Sequence, residues 1–243
     1  MTDDIPDEGA GFPPAPDPYR VGDGGPPPQT PRENLPPWED RAHFTVVAGF
    51  LNTIPQVMTA PGRFFTDHPV RRGLLGPVTF GVLIGVISAI AEWVWSHIFT
   101  GFEQNLLGLL GEDYEISGAE AWISEFAEGF GVLVSPVLAL IAVFLVAGLV
   151  HLGVMLAAAD RNRGFEATLR ATAYAGGATI LALIPICGDG IGSIWALVVA
   201  VIGVRTMHGI GTGPALLAVL APLLLCCCGC VGLIALIAGL AAS

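Results

Sequence analysis

The feature that most constrains this chain is a series of apolar stretches long enough to cross a lipid bilayer. A hydrocarbon core about 30 Å thick is crossed by about 20 apolar residues in a helix. We count five such stretches after residue 76, at 77–99, 131–157, 172–187, 191–207 and 214–240. The pattern predicts an all-α polytopic membrane protein, a helical bundle with five transmembrane helices.

Ahead of these stretches lies a segment of very different composition, residues 1–41. It holds eleven of the nineteen prolines together with many acids. Proline removes backbone donors and acidic side chains repel one another, so this segment buries too little to fold. We predict a disordered cytoplasmic tail that is either simply solvated or docks protein partners through its proline runs. The first residues lack a basic region followed by an apolar one, so we expect no cleavable signal peptide.

The predicted membrane domain, residues 42–243, begins with an apolar but interrupted segment at 42–70. Its apolar residues are broken up by Asn52, Thr53, Pro55 and Gln56. Such a run is too broken to span and is typical of one or two amphipathic helices in the membrane interface. Further along, only Gly188-Asp189-Gly190 separates the third and fourth predicted spans, which indicates a tight antiparallel hairpin.

The ten basic residues, all arginines, predict the orientation. With five spans they all fall on one side, whereas the long loop at 100–130 on the other side carries seven acids and no arginine. The positive-inside rule then places the N-terminus in the cytoplasm and the C-terminus outside. Composition suggests a bacterial protein, so we predict a multi-pass protein of the inner (plasma) membrane, in contact with the lipid bilayer. A net charge of −11 without a basic cluster gives no support to nucleic-acid binding.

Several short phrases occur in a fixed order across about residues 45–225. They are TAPGRFF at 59–65, GPVTFG at 76–81, AGLVHL at 147–152, GFEATLRATAY at 164–174, Ile184-Pro185, Ile202-Gly203 and His208-Gly209. In this order they resemble the YIP (Ypt/Rab-interacting protein) family of membrane proteins, in particular bacterial members with a Yip-one domain. The resemblance implies five spans, a cytoplasmic N-terminus, a role in membrane organisation or trafficking, and no catalytic residues. Eukaryotic members associate with small GTPases, which we do not extend to this chain.

Polar residues near the predicted cytoplasmic ends of the spans form the candidate site. A charge near the bilayer centre costs about 2.5 kcal/mol or more, so we expect each such group to have a structural or functional role. Glu166 and Arg170 are four residues apart, and we expect them to form an ion pair on one helical face. The cluster is either a polar pocket or a set of caps and hydrogen bonds that locks the helices together. Its predicted members are His151, Glu166, Arg170, Tyr174, Arg205 and His208.

Two other features stand apart from this cluster. Glu92 is a candidate intramembrane acid near the outer boundary, either a snorkelling carboxylate in an aromatic belt or a buried proton site. Four cysteines at 226–230 lie in the fifth predicted span. Soft metals bind thiolates, but consecutive helix positions point in different directions and cysteine also serves as a small packing residue. We predict no metal site, no cofactor and no catalytic residue, since no nucleophile and base stand at a motif spacing.

The favoured function is therefore that of a non-enzymatic protein that organises membrane or scaffolds partners. The alternative is a small transporter or channel subunit that uses the polar site at the cytoplasmic side, with Glu92 as a second gate. Gly81 and Gly85 form a GxxxG step, which predicts close helix packing and is compatible with a homo-oligomer.

Overall fold

The computed structural model describes residues 34–110, 118–222 and 224; between 103 and 128 it describes the helix backbone but only some of the side chains. All regular structure in these residues is helical. The predicted all-α class is thus confirmed for this part of the chain. Residues 1–33, most of the predicted tail, lie outside it.

Among the described residues, three helices are long and apolar enough to cross a membrane. They are α3 (Leu75–Leu110), α4 (Gly118–Ala157) and α6 (Gly188–His208), with candidate spans at Leu75–Phe102, Gly129–Ala157 and Gly188–His208. These three correspond to the first, second and fourth predicted spans. Many large apolar side chains on them are exposed, as expected where lipid is the solvent.

The third predicted span, 172–187, is not a single α-helix. Instead α5 (Phe165–Ala175) runs directly into a 3₁₀ helix over Gly176–Leu183. Every residue of α5 from Ala167 to Ala175 is buried, including the polar residues Thr168, Arg170 and Thr172. A hydropathy window therefore detects only the apolar second half of this stretch.

The chain reverses earlier than the glycines at 188–190 suggest. The turn occupies residues 184–187, where Ile186 adopts a left-handed φ of 69°, and Gly188 already begins α6. α6 then packs along the 3₁₀ helix, as the predicted hairpin requires. A further apolar helix, α7, covers Thr212–Pro222. The fifth predicted span, 214–240, continues from it into residues outside the described part, and these include the cysteines at 226–230.

The predicted loop at 100–130 is largely helical in the described residues. α3 continues to Leu110 and α4 begins at Gly118, so the two are 36 and 40 residues long. At 1.5 Å per residue these helices measure about 54 and 60 Å, against a hydrocarbon core of about 30 Å. Hydropathy detects only the part of a helix that faces lipid, and polar helix-forming residues continue it beyond.

The interrupted segment ahead of the first span forms two helices, α1 (Val46–Thr59) and α2 (Pro61–Asp67). The hydroxyl of Thr45 accepts a hydrogen bond from the backbone N–H of Ala48 and so caps α1. One face of α1 buries Phe50 and Val57 against the bundle, while its opposite face exposes apolar side chains. The location of these helices in the membrane interface stays a prediction.

The GxxxG step is the place where α3 packs on α4. A Cβ atom added to Gly81 would lie 2.9 Å from Val143 Cγ2, and one added to Gly85 would lie 2.8 Å from Ala139 Cβ. Both distances are shorter than real Cβ contacts, so larger residues would push the helices apart. The two glycines therefore determine how closely α3 and α4 can pack.

Candidate functional site

The first polar cluster joins α4, α5 and α6 through one hydroxyl. Thr168 Oγ1 lies 2.9 Å from His151 Nδ1 and 2.9 Å from His208 Nε2. The backbone N–H of Arg163 donates to His208 Nδ1 at 3.1 Å. Because Nδ1 accepts this bond, neutral His208 carries its proton on Nε2 and donates it to Thr168, whose own proton then points to His151. The result is a chain of hydrogen bonds across three helices.

The inner part of this histidine–threonine chain, Thr168 and His208, is enclosed by protein. Thr168 is 0% exposed and His208 is 1% exposed, while His151 is half-buried with the ring of Phe165 edge-on at 5.6 Å. Both ring nitrogens of His208 have a partner, so its polar groups are satisfied. Such an arrangement holds helices in place, and its innermost members do not face water.

The second polar cluster is centred on Arg170, which is 0% exposed. Its Nη2 donates to Glu39 Oε1 at 2.6 Å, and its Nη1 donates to the carbonyl oxygen of Gly73 at 3.3 Å. The hydroxyl of Tyr174, one turn further along α5, donates to the same Oε1 of Glu39. Removing one partner of a buried ion pair typically destabilises a protein by about 3–5 kcal/mol, so Glu39 is central to this part of the fold.

Glu39 reaches Arg170 because the preceding tryptophan docks on the bundle. Trp38 is 6% exposed and lies edge-on to Phe50 and Phe80, with ring centroids 5.9 and 6.1 Å away. Its Nε1 donates to the carbonyl oxygen of Gly76 at 2.8 Å, and its backbone N–H donates to Thr53 Oγ1 at 2.9 Å. Residues 34–41, which the sequence analysis placed in the disordered tail, are therefore an integral part of the described fold.

Two glycines make room for residues 36–40, which we call the docked segment. A Cβ atom on Gly49 would lie 2.5 Å from the carbonyl oxygen of Pro37, and one on Gly76 would lie 2.6 Å from Glu39 Cγ. Arg41 closes the outer side, with its guanidinium carbon 4.3 Å from the Trp38 ring centroid. The docked segment thus lies in a groove formed by α1, the start of α3, and α5.

The expected ion pair between Glu166 and Arg170 is wrong, because each binds another partner. Glu166 Oε1 accepts hydrogen bonds of 2.5 Å from the backbone N–H groups of Arg72 and Gly73. This carboxylate fixes the loop ahead of α3, while Arg170 turns inward to Glu39. Helical spacing places the two residues on one face of α5. The buried Arg170 nevertheless pairs with Glu39, which is 131 positions away in the sequence.

The remaining two candidates are both exposed. Arg205 lies one turn before His208 on α6, on the outside of the bundle. Glu92 is exposed on α3 beside Trp93, and the nearby Trp95 donates from its Nε1 to the carbonyl oxygen of Ala182 at 3.1 Å. The structure therefore divides the predicted cluster: His151 and His208 meet through Thr168, Arg170 and Tyr174 meet at Glu39, and Glu166 binds a loop.

Among the described residues outside the spans, two titratable groups have shifted pKa values. Burial lowers the pKa of His68 below its usual value, although the hydrogen bond between its Nδ1 and the carbonyl oxygen of Phe64 acts in the opposite direction. A side-chain hydrogen bond from His43 lowers the pKa of the half-buried Asp40, which directly follows Glu39. Asp40 is the last residue of the docked segment, and His68 follows α2.

Within the described residues, no group of three or more His, Cys, Asp or Glu side chains is placed to hold a metal ion. The polar groups described above supply hydrogen bonds between helices and the buried ion pair between α5 and the docked segment. Sequence reasoning missed Thr168, because a threonine inside a mixed helical stretch has no distinctive pattern. It also missed Trp38 and Glu39, for which the one available signal was a large aromatic residue in an otherwise proline-rich and acidic segment.

Comparison with known proteins gives one match. The model of the Yip1 domain family matches residues 56–234. This range includes all of the described helices from α2 to α7 and both polar clusters except Glu39. Searches of curated proteins and of solved structures found no match.

Proposed function

Since this chain belongs to the Yip1 domain family of membrane proteins, we propose that it is a non-enzymatic protein that organises membrane or scaffolds partners. The observation that carries the proposal is the state of the buried polar groups. Arg170 and His208 are 0% and 1% exposed and bind groups on other elements, so they hold the bundle together. A transport pathway needs such groups to face water or a solute.

Reconstitution into liposomes tests this function directly. The purified full chain is expected to give no proton or solute flux above that of empty liposomes. The matched variant is His151→Ala, which removes the half-buried end of the histidine–threonine chain. Flux in the wild type that this variant abolishes would establish the transporter alternative and refute the scaffold.

The proposed topology has five spans. The third would be formed by α5 and the 3₁₀ helix together, with 11 and 8 residues. A 3₁₀ helix rises about 2.0 Å per residue and an α-helix about 1.5 Å, so together they reach about 32 Å, close to the thickness of the hydrocarbon core. The fifth would begin with α7 and follow the apolar sequence to residue 240.

The proposed orientation places the N-terminus in the cytoplasm of a bacterial cell and the C-terminus outside the inner membrane. In this arrangement the turn at 184–187 faces outward. Cys187, an exposed cysteine in that turn, provides a test after the cysteines at 226–230 are replaced by alanine. A membrane-impermeant maleimide should label Cys187 in intact cells. Labelling only after the cells are opened would refute the orientation.

Partners would bind through residues 1–33 and the cytoplasmic face, and a second copy of the chain is a further candidate partner. Co-purification from membranes tests this role with two forms of the protein, the full chain and a deletion of residues 2–33 that keeps the docked segment. The scaffold predicts the same set of partners in repeated preparations of the full chain and their loss from the deletion. Identical sets in both forms would show that these residues bind none of them.

A further inference from the structure

Arg170 is a buried cation whose binding capacity is only partly used. The guanidinium offers five N–H donors in a planar fork. Nη2 binds Glu39 and Nη1 binds the Gly73 carbonyl oxygen, whereas Nε is buried with no hydrogen-bond partner. A buried donor without a partner is unusual in a folded protein. This orphan donor lies on the same guanidinium that Glu39 neutralises.

Glu39 binds Arg170 and Tyr174 through only one of its carboxylate oxygens. Arg170 Nη2 and the Tyr174 hydroxyl both donate to Oε1, so two donors converge on one acceptor while Nε is left over. An arginine fork matches two oxygens of a tetrahedral oxyanion such as phosphate, through two parallel N–H groups. A phosphate at this place would bind both Nε and Nη2 and still accept the Tyr174 hydroxyl.

Glu39 belongs to the docked segment, which lies in the groove at the surface of the bundle. Leu35 and Asp40 are half-buried, whereas the side chain of Glu39 between them is only 8% exposed. The docked segment contributes no residue to the helices themselves, so lifting it from the groove would uncover Arg170 and Tyr174 without breaking a helix. The groove lies beside α1 and α2, at the end of the bundle where α3 begins.

We propose that Arg170 and Tyr174 form a phosphate-binding site, and that Glu39 occupies this site as an internal competitor. Phosphate and the Glu39 carboxylate bind the same donors, so binding of the ligand and release of the docked segment are one event. The phosphate group belongs either to a membrane lipid headgroup or to a free phosphate. This site goes beyond the proposed scaffolding role and does not depend on it.

The test uses the full chain in a neutral detergent and three probes. Dihexanoyl phosphatidic acid and inorganic phosphate carry the proposed group, and dihexanoylglycerol is the matched lipid without phosphate. The readout is hydrogen exchange of the Trp38 backbone N–H, which the Thr53 hydroxyl protects while the segment is docked. Saturating ligand should speed this exchange at least tenfold, and dihexanoylglycerol should leave it unchanged.

Variants separate this site from a general effect of charge. Glu39→Gln keeps the size of the side chain but removes the competing charge, so phosphate affinity should rise about tenfold. Tyr174→Phe should weaken binding, and Arg170→Gln should abolish saturable binding. If Arg170→Gln does not fold, Tyr174→Phe and Glu39→Gln still decide the question. Arg63→Gln removes an exposed arginine and should bind as the wild type does.

The two ligand arms identify the source of the phosphate. Binding of phosphatidic acid alone supports a lipid headgroup, and binding of inorganic phosphate as well supports a free phosphate. The proposal is overturned if Glu39→Gln binds neither ligand saturably, or if it binds them no more tightly than the wild type. Equal binding of dihexanoylglycerol and phosphatidic acid would also overturn it, because the acyl chains would then account for the affinity.

Discussion

Replacement of Trp38 by alanine tests whether the docked segment belongs to the folded domain. The indole is 6% exposed, contacts two aromatic rings and donates one hydrogen bond of 2.8 Å to the carbonyl oxygen of Gly76. Truncation of a buried tryptophan to alanine typically destabilises by about 3–5 kcal/mol, and this range already includes the lost ring contacts and the hydrogen bond. Since every 1.4 kcal/mol is a factor of ten, we expect the undocked population to rise at least 100-fold.

Trypsin cleavage after Arg41 measures that population, because Arg41 packs over the Trp38 ring in the docked state. Cleavage of Trp38→Ala in detergent should be at least about 100-fold faster than cleavage of the wild type, as long as reclosing is faster than cutting. The control is Trp122→Ala, which truncates a tryptophan that is 66% exposed and should leave this rate unchanged. Equal rates of cleavage after Arg41 in Trp38→Ala and the wild type would refute the docking described above.

Three further outcomes follow from particular contacts. Gly153→Ala on α4 should lower the melting temperature strongly, because the added Cβ would lie 2.4 Å from the backbone oxygen of Ala218 on α7. The control is Gly148→Ala on the same helix, where a Cβ meets open space. It should be neutral or stabilising in the same thermal scan. Thr168→Val should destabilise by about 1–3 kcal/mol in chemical unfolding, because it leaves the His208 Nε2–H buried without an acceptor, and Thr168→Ser should restore most of the loss. The pKa of His68 is lower in the folded state than in the unfolded state, so the unfolded chain binds more protons. The stability contributed by neutral His68 is therefore lost as the pH falls below the unfolded pKa of about 6.5. The melting temperature of His68→Gln should fall less steeply between pH 7 and pH 5 than that of the wild type, and an unchanged slope would exclude this role.

Hydropathy predicted the helices that face lipid and failed for the one that does not. α3, α4 and α6 present long apolar surfaces, so a window of about 20 residues detects them. α5 is enclosed by protein, and its buried residues include Thr168, Arg170 and Thr172. A helix that packs against helices can carry polar side chains wherever a partner exists, and a hydropathy scale treats those side chains as evidence against burial.

Residue types indicated the polar groups that matter, but not their pairing. Arg170 was a candidate because a charge in a membrane domain needs a partner. Local spacing suggested Glu166, four residues away, whereas the chain supplies Glu39 from 131 positions away. Such a pairing depends on the complete path of the backbone over α1, α2 and the start of α3. Helical periodicity contains no information about that path.

The excess length of α3 and α4 has an electrostatic consequence. Beyond their candidate spans the helices continue from Phe102 to Leu110 and back to Gly118, which adds about 12 and 16 Å at 1.5 Å per residue. The headgroup layer on one side of a bilayer is about 5–8 Å thick, and the Debye length at physiological salt is about 8 Å. The helix tips, in a stretch whose sequence is rich in glutamate, therefore stand about one screening length clear of anionic headgroups. Repulsion between anionic headgroups and charges at these helix ends is largely screened at that separation.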